Sequence, residues 1–167
     1  MSEELIQESN PIDVLKALRS PISQIDDIVY MGNRAGAQDL RILKSTEIKR
    51  ILQIQSWDVP PLFPNDFIYH CIVIGDLPDN DISRHIPDAL RFIADAIKAN
   101  QKVFVHCDAG ASRSGSIVIA YLMGRLGISF DEGLKLARKG RACVWPNPGF
   151  VSQLKQLSPS QLSQYFF

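Results

Sequence analysis

Lys102-Val103-Phe104-Val105-His106-Cys107-Asp108-Ala109-Gly110-Ala111-Ser112-Arg113-Ser114 is the stretch whose reading decides the fold. An apolar run ends at His106-Cys107. Five mostly small residues follow, then Arg113, and a second apolar run, Ile117 to Met123, begins soon after. The pattern reads as strand, tight loop and buried helix. A loop so placed can aim several backbone N–H groups and a helix N-terminus at one point. That point suits a tetrahedral oxyanion, with Cys107 beneath it.

A thiol is a good nucleophile only as the thiolate. Converging N–H dipoles, the helix N-terminus and the Arg113 guanidinium all favour that anion. Gly110 lets the backbone turn back without a Cβ clash. Asp108, Ala109, Gly110, Ala111, Ser112 and Arg113 form the substrate cradle, and the small side chains among them keep it open. Arg113 offers a planar fork that holds two phosphoryl oxygens, a geometry lysine lacks. Ser114 offers its hydroxyl to the Cys107 sulfur and eases its departure in a second step. His106 braces the loop by hydrogen bonds rather than serving as base. An inert buried thiol is the plain reading of an isolated cysteine. Here that reading would also have to explain His, Gly, Arg and Ser in register.

His106-Cys107-x5-Arg113-Ser114 resembles the signature loop of cysteine-dependent protein phosphatases, the protein tyrosine phosphatase superfamily. The longer run from Val105 to Ser114, followed by Ala120-Tyr121-Leu122-Met123, is similar to its small, atypical dual-specificity branch. Tyr30-Met31-Gly32-Asn33 and Pro146-Asn147-Pro148-Gly149-Phe150, then Gln153-Leu154, resemble further family segments. The resemblance implies a metal-free, cofactor-free hydrolase of phosphotyrosine and phosphoserine/threonine in proteins, acting through a phosphocysteine.

That chemistry needs one carboxyl group, acid first and base second. Asp76, Asp79 and Asp81 crowd into Asp76-Leu77-Pro78-Asp79-Asn80-Asp81, a surface loop by its composition. The resemblance places the acid at Asp76, with Asp79 next in line. Asp79 and Asp81 read as turn formers, and Asp81 or Ser83 as a cap for the next helix.

At 167 residues, with 46% hydrophobic and 22% charged content, the chain reads as one soluble α/β domain. Its expected fold is protein tyrosine phosphatase-like: a central, mostly parallel sheet of about four to five strands with helices on both faces. Residues 1–20 read as a tail and short helix, and 21–167 as the catalytic domain. The 18 basic and 18 acidic residues balance, which argues against nucleic-acid and anionic-membrane partners. No apolar stretch reaches membrane-spanning length. A reactive thiolate needs a reducing compartment, so cytosol or nucleus is expected, with a monomer acting on phosphorylated protein or peptide. Neutral charge also weighs against an RNA triphosphatase, and the acidic Asp108 against inositol-lipid substrates. The rival readings are a catalytically weak phosphate-binding scaffold, a phosphatase of a non-protein substrate, and sulfur transfer or arsenate reduction.

Along the chain, residues 1–8 read as a loose polar tail, followed by a helix from Asn10-Pro11 to Leu18. Strands are expected over 25–30, 48–54 and 67–74, the last as a continuous apolar strand in the covered centre of the sheet. Helices are expected over 35–46, 83–99 and 114–126. A capping box at Ser129-x-x-Glu132 starts another, and Asn147-Pro148 and Ser158-Pro159 start the last two. Cys71 reads as a core thiol and Trp145 as an aromatic packing its loop onto the core. Arg138, Lys139 and Arg141 read as a solvated basic helix end.

Overall fold

The computed structural model describes residues 9–167; the expected loose tail, 1–8, lies outside the described residues. Asn10 opens helix α1 (Pro11–Arg19) by accepting from the Ile12 N–H, with proline at the first helical position. Two short strands follow, β1 (Ile22–Gln24) and β2 (Val29–Gly32), paired antiparallel. The expected strand over 25–30 is therefore corrected to a hairpin. Its turn is built by Asp26, whose Oδ1 accepts from the Ile28 and Val29 N–H groups at 2.8 and 2.7 Å.

The single helix expected over 35–46 is two helices, α2 (Arg34–Gln38) and α3 (Leu40–Ser45). Asp39 lies extended between them and caps α3 by accepting from the Ile42 N–H. An aspartate competes for nearby backbone groups and so ends one helix while starting the next.

Strand β3 (Ile48–Gln55) leads through a proline-rich loop to β4 (Ile68–Val73). A 3-10 turn, Ser83–His85, enters α4 (Ile86–Lys98), and β5 (Lys102–His106) follows. Then come α5 (Arg113–Leu126), α6 (Phe130–Gly140), α7 (Pro148–Lys155) and α8 (Pro159–Ser163). Gly127, left-handed at φ 67°, closes α5, and both arms of the Ser129/Glu132 capping box are present.

The sheet runs β1-β2-β5-β3-β4, with every pair parallel except β1–β2. Alternation along β5 feeds two cores. Val103 and Val105 face the large one under α4 to α8, and Phe104 joins Leu43, Ile48, Ile51 and Phe67 on the opposite face. Helix α5 is buried from Arg113 to Gly124, as its nearly all-round apolar character requires. The strand expected at the covered centre, 67–74, is instead the edge strand β4. Ile68 and Val73 are 50% and 48% exposed, and Cys71, expected in the core, is exposed beside them. A continuous apolar run does not say how many neighbours a strand has.

The β1–β2 hairpin is tied to α5 by the Tyr121 hydroxyl, which donates to the Asp26 carboxylate. Burial and that carboxylate both push the Tyr121 hydroxyl pKa up, so it stays a donor. Tyr121→Phe should lower stability by about 1–3 kcal/mol, read from urea unfolding midpoints. An unchanged midpoint would show that water replaces the bond at no cost.

Candidate active site

Strand β5 delivers Cys107 to the start of a loop, 107–112, that ends at the α5 N-terminus. Each carbonyl in this loop has a partner. His106 Nδ1 lies 3.5 Å from the Cys107 oxygen, and the Arg34 N–H donates to that of Asp108 at 3.0 Å. Arg141 Nη2 takes the Ala109 oxygen at 3.3 Å, and its Nε takes that of Gly110 at 2.8 Å. The Trp145 N–H takes the Ala111 oxygen at 3.0 Å, and Ser116 N–H and Oγ both donate to that of Ser112 at 2.8 Å. In a planar trans peptide the N–H points opposite to the C=O. Carbonyls committed to surrounding elements therefore leave the N–H groups of the next residues turned to the other side, where an anion can sit. Gly110 makes the turn at φ 66°, and a Cβ there would overlap the Gly32 carbonyl.

Cys107 is 2% exposed, and its Sγ lies 3.1 Å from the Ser114 hydroxyl. Arg113 is buried as well. Its Nη1 donates to Ser56 Oγ at 2.9 Å and to the Ile74 carbonyl at 3.2 Å. Its Nη2 lies 3.2 Å from Asp108 Oδ2, while its Nε is buried without a protein partner. Asp108 also pairs through Oδ1 with Arg34 Nη2 at 2.7 Å. Its carboxylate thus bridges two guanidinium groups at the cradle.

Asp76 stands on the exposed loop after β4, yet its Oδ1 reaches the cradle. It accepts from Ser112 Oγ at 2.6 Å and from Asn147 Nδ2 at 2.9 Å. Helix α7 fixes this loop at several points. Asn147 caps α7 by accepting from the Phe150 N–H, and Gln153 Oε1 accepts from the Ile82 and Ser83 N–H groups. Gln153 Nε2 donates to the Asn80 carbonyl, and a Cβ on Gly149 would overlap the Pro78 oxygen. Asp79 is exposed, and no side-chain bond to Asp76 or the cradle is formed by it. The Ser83 hydroxyl donates to Asp81 and lowers its pKa, and the backbone N–H groups of Ser83 and Arg84 at the start of the following turn add to that lowering.

Cys107, Arg113, Ser114 and Asp76 therefore meet at one place. Arg141 corrects the sequence reading: it is 1% exposed, and it also donates to the Ser20 carbonyl and Ser23 Oγ. Asn147, Ser56 and Arg34 were likewise invisible as site residues; Asn147 alone carried a signal, its place in the Pro146–Phe150 segment. Trp145, expected to pack on the core, is 62% exposed and lies under the Arg138 guanidinium at 4.6 Å. Cys143 is buried, with Sγ 3.5 Å from the Gly110 carbonyl, and burial pushes its thiol pKa up. No cluster of potential metal ligands occurs among the described residues.

The family model described as dual specificity phosphatase, catalytic domain, matches residues 29–159. The chain belongs to the dual specificity phosphatase family. Dual specificity protein phosphatase 1B of Arabidopsis thaliana is 37% identical over 139 residues, covering 83% of either chain. The crystal structure of DUSP15 matches with a TM-score of 0.81 at 30% identity, covering 87% of this chain and 94% of that one. The structure of the human tyrosine phosphatase-like serine/threonine/tyrosine-interacting protein matches with a TM-score of 0.77 at 31% identity, covering 81% and 93%. This dual specificity phosphatase thus has the cysteine-dependent fold, a five-stranded, mostly parallel sheet flanked by helices.

His106 is stacked on Phe104 at 5.5 Å between ring centroids. Burial pushes its pKa down to about 4; the Cys107 carbonyl and Asp108 oppose that shift, and Arg34 adds to it. Between pH 6.5 and about 4 the unfolded chain binds a proton at this residue that the folded chain refuses. Stability therefore falls as pH drops through that window, by about 3 kcal/mol in full. His70 and His85, also lowered by burial, add to the slope. In urea titrations from pH 7 to pH 4, His106→Asn should reduce the slope by about one proton. An unaltered slope would mean that the folded ring protonates freely.

Proposed function

We propose that this dual specificity phosphatase hydrolyses phosphotyrosine and phosphoserine/threonine esters of proteins through a phosphocysteine intermediate. The observation that carries the reading is the committed set of cradle carbonyls above a buried Cys107, with the Arg113 Nε unpartnered beside it. A phosphoryl oxygen supplies the acceptor that Nε lacks, and the turned N–H groups hold the equatorial oxygens as charge spreads.

Cys107 Sγ attacks phosphorus in line, forming the S–P bond as the P–O ester bond breaks. Asp76 protonates the leaving oxygen. Its Oδ1 already accepts from Ser112 and Asn147, so the mobile proton belongs on Oδ2. Water then attacks phosphorus, losing a proton to Asp76, and the P–S bond breaks. Ser114, 3.1 Å from the sulfur, donates to the departing thiolate. A thiolate of this kind persists in a reducing compartment, cytosol or nucleus.

With p-nitrophenyl phosphate, Cys107→Ser should abolish turnover. With phosphothreonine peptides, whose leaving alkoxide needs a proton, Asp76→Asn should lower kcat by about 10²–10⁴-fold. It should do much less to the nitrophenyl ester, whose leaving group is stable as the anion. Ser114→Ala should accumulate phosphocysteine, visible as a burst in rapid quench. Phosphopeptide binding by a wild-type protein that turns over neither ester would mark a phosphate-binding scaffold instead.

A further inference from the structure

A guanidinium carries five N–H donors whose directions are fixed by its plane. Nε and Nη2 share the edge that makes a bidentate fork, and Nη1 points away from it. In Arg113 the far side is anchored and the fork is not. Nη1 donates to Ser56 Oγ at 2.9 Å and to the Ile74 carbonyl at 3.2 Å, which employs both of its hydrogens. Nε has no protein partner, and Nη2 meets Asp108 of the cradle. The anchors therefore leave over the one edge that can grip two phosphoryl oxygens.

Both anchors stand where neighbouring strands end. Ser56 follows β3 at Gln55, and Ile74 follows β4 at Val73. The Ile74 N–H donates to the Gln55 carbonyl at 2.8 Å, so the two strand ends are locked together just where the anchors begin. The Ile74 anchor is main chain and survives any substitution. The Ser56 anchor is a single side chain. Ser56 lies in an exposed stretch, Ser56-Trp57-Asp58, where a serine ordinarily gives its hydroxyl to water. Here that hydroxyl has the buried Arg113 as its side-chain partner. It also borders a polar cavity of about 270 Å³, shared with Ile74 and Asn80, so there is room beside it for one more methyl group.

Arginine has a long, freely rotating stem, and burial alone does not choose which edge of the guanidinium it presents. One acceptor at Nη1 fixes a point and lets the group rock about it. Two acceptors, one for each hydrogen, fix the plane. We infer that Ser56 is a positioning residue for phosphoryl transfer, turning the Nε–Nη2 edge of Arg113 toward the cradle. The inference rests on the phosphatase reading above. Ser56 acts through Arg113 and takes no part in bond making or proton transfer.

The test compares Ser56→Ala and Ser56→Thr with the wild-type protein. Cys107 is alkylated with iodoacetate, whose carboxylate engages the fork, and with uncharged iodoacetamide. Mass spectrometry of the peptide carrying Cys107 gives each rate. Ser56→Ala should lower the iodoacetate-to-iodoacetamide rate ratio by about tenfold, the effect of losing a hydrogen bond to a charged group. The inhibition constant of inorganic phosphate should rise, and kcat/KM for p-nitrophenyl phosphate fall, by similar factors. Ser56→Thr, which keeps the hydroxyl, should restore all three. An unchanged ratio in Ser56→Ala would show that the Ile74 carbonyl holds the fork unaided and would overturn the inference. A fall shared equally by both reagents, the mark of general loosening, would do the same, as would a loss that threonine fails to restore. A protein that shows the expected ratios yet hydrolyses no ester would overturn the phosphatase reading instead.

Discussion

Arg141 holds the cradle in shape. One guanidinium takes the carbonyls of Ala109 and Gly110 and reaches back to Ser20 and Ser23 before and in β1. The N–H groups of a tight loop face an anion only while the opposing carbonyls are engaged elsewhere. The carbonyls of Asp108, Ala111 and Ser112 are engaged by Arg34, Trp145 and Ser116, so α2, the segment before α7, and α5 all contribute. Arg141 forms no ion pair among the described residues. Its burial pushes the guanidinium pKa down, which the nearby Cys143 and Cys107 sulfurs oppose, and the oxygens it donates to are neutral. Positive charge therefore stands directly behind the loop, where a phosphoryl group or a thiolate gains from it in a medium of low dielectric.

The carboxylate on the other side is positioned by a different device. Asp76 lies on an exposed loop, and such loops are ordinarily mobile. Here α7 serves as its frame, through Asn147, Gln153 and the close approach of Gly149 to Pro78. Ser112 bonds to Asp76 and also accepts from the Asn147 N–H at 3.0 Å. Cradle, acid loop and α7 share one hydrogen-bonded junction, so displacing any of the three disturbs the other two.

The parts of this arrangement legible in the sequence are those fixed by local chemistry. Cys107, Gly110, Arg113 and Ser114 sit on one short run, and strand–loop–helix is the only reading that satisfies its pattern. The helix starts at Asn10, Ser129 and Asn147 were likewise written locally, in cap residues. What escaped depends on which elements come together. Arg141 looks like a solvated helix end until β1 and the cradle close over it. Arg34 has no visible role until Asp108 lies beside it. The edge position of β4 is a matter of strand order, which hydropathy does not encode, and Cys71 followed it out of the core. Asp39 and Asp26 are the exceptions, since each is a capping or turn residue standing inside a segment read as regular structure.

Asp108 gives the cradle an anion of its own. Its carboxylate touches Arg113 and Arg34 before any ester arrives. A phosphoryl group that takes Nη2 as well as the open Nε competes there with a carboxylate already in place, so Asp108 lowers the net gain from the guanidinium.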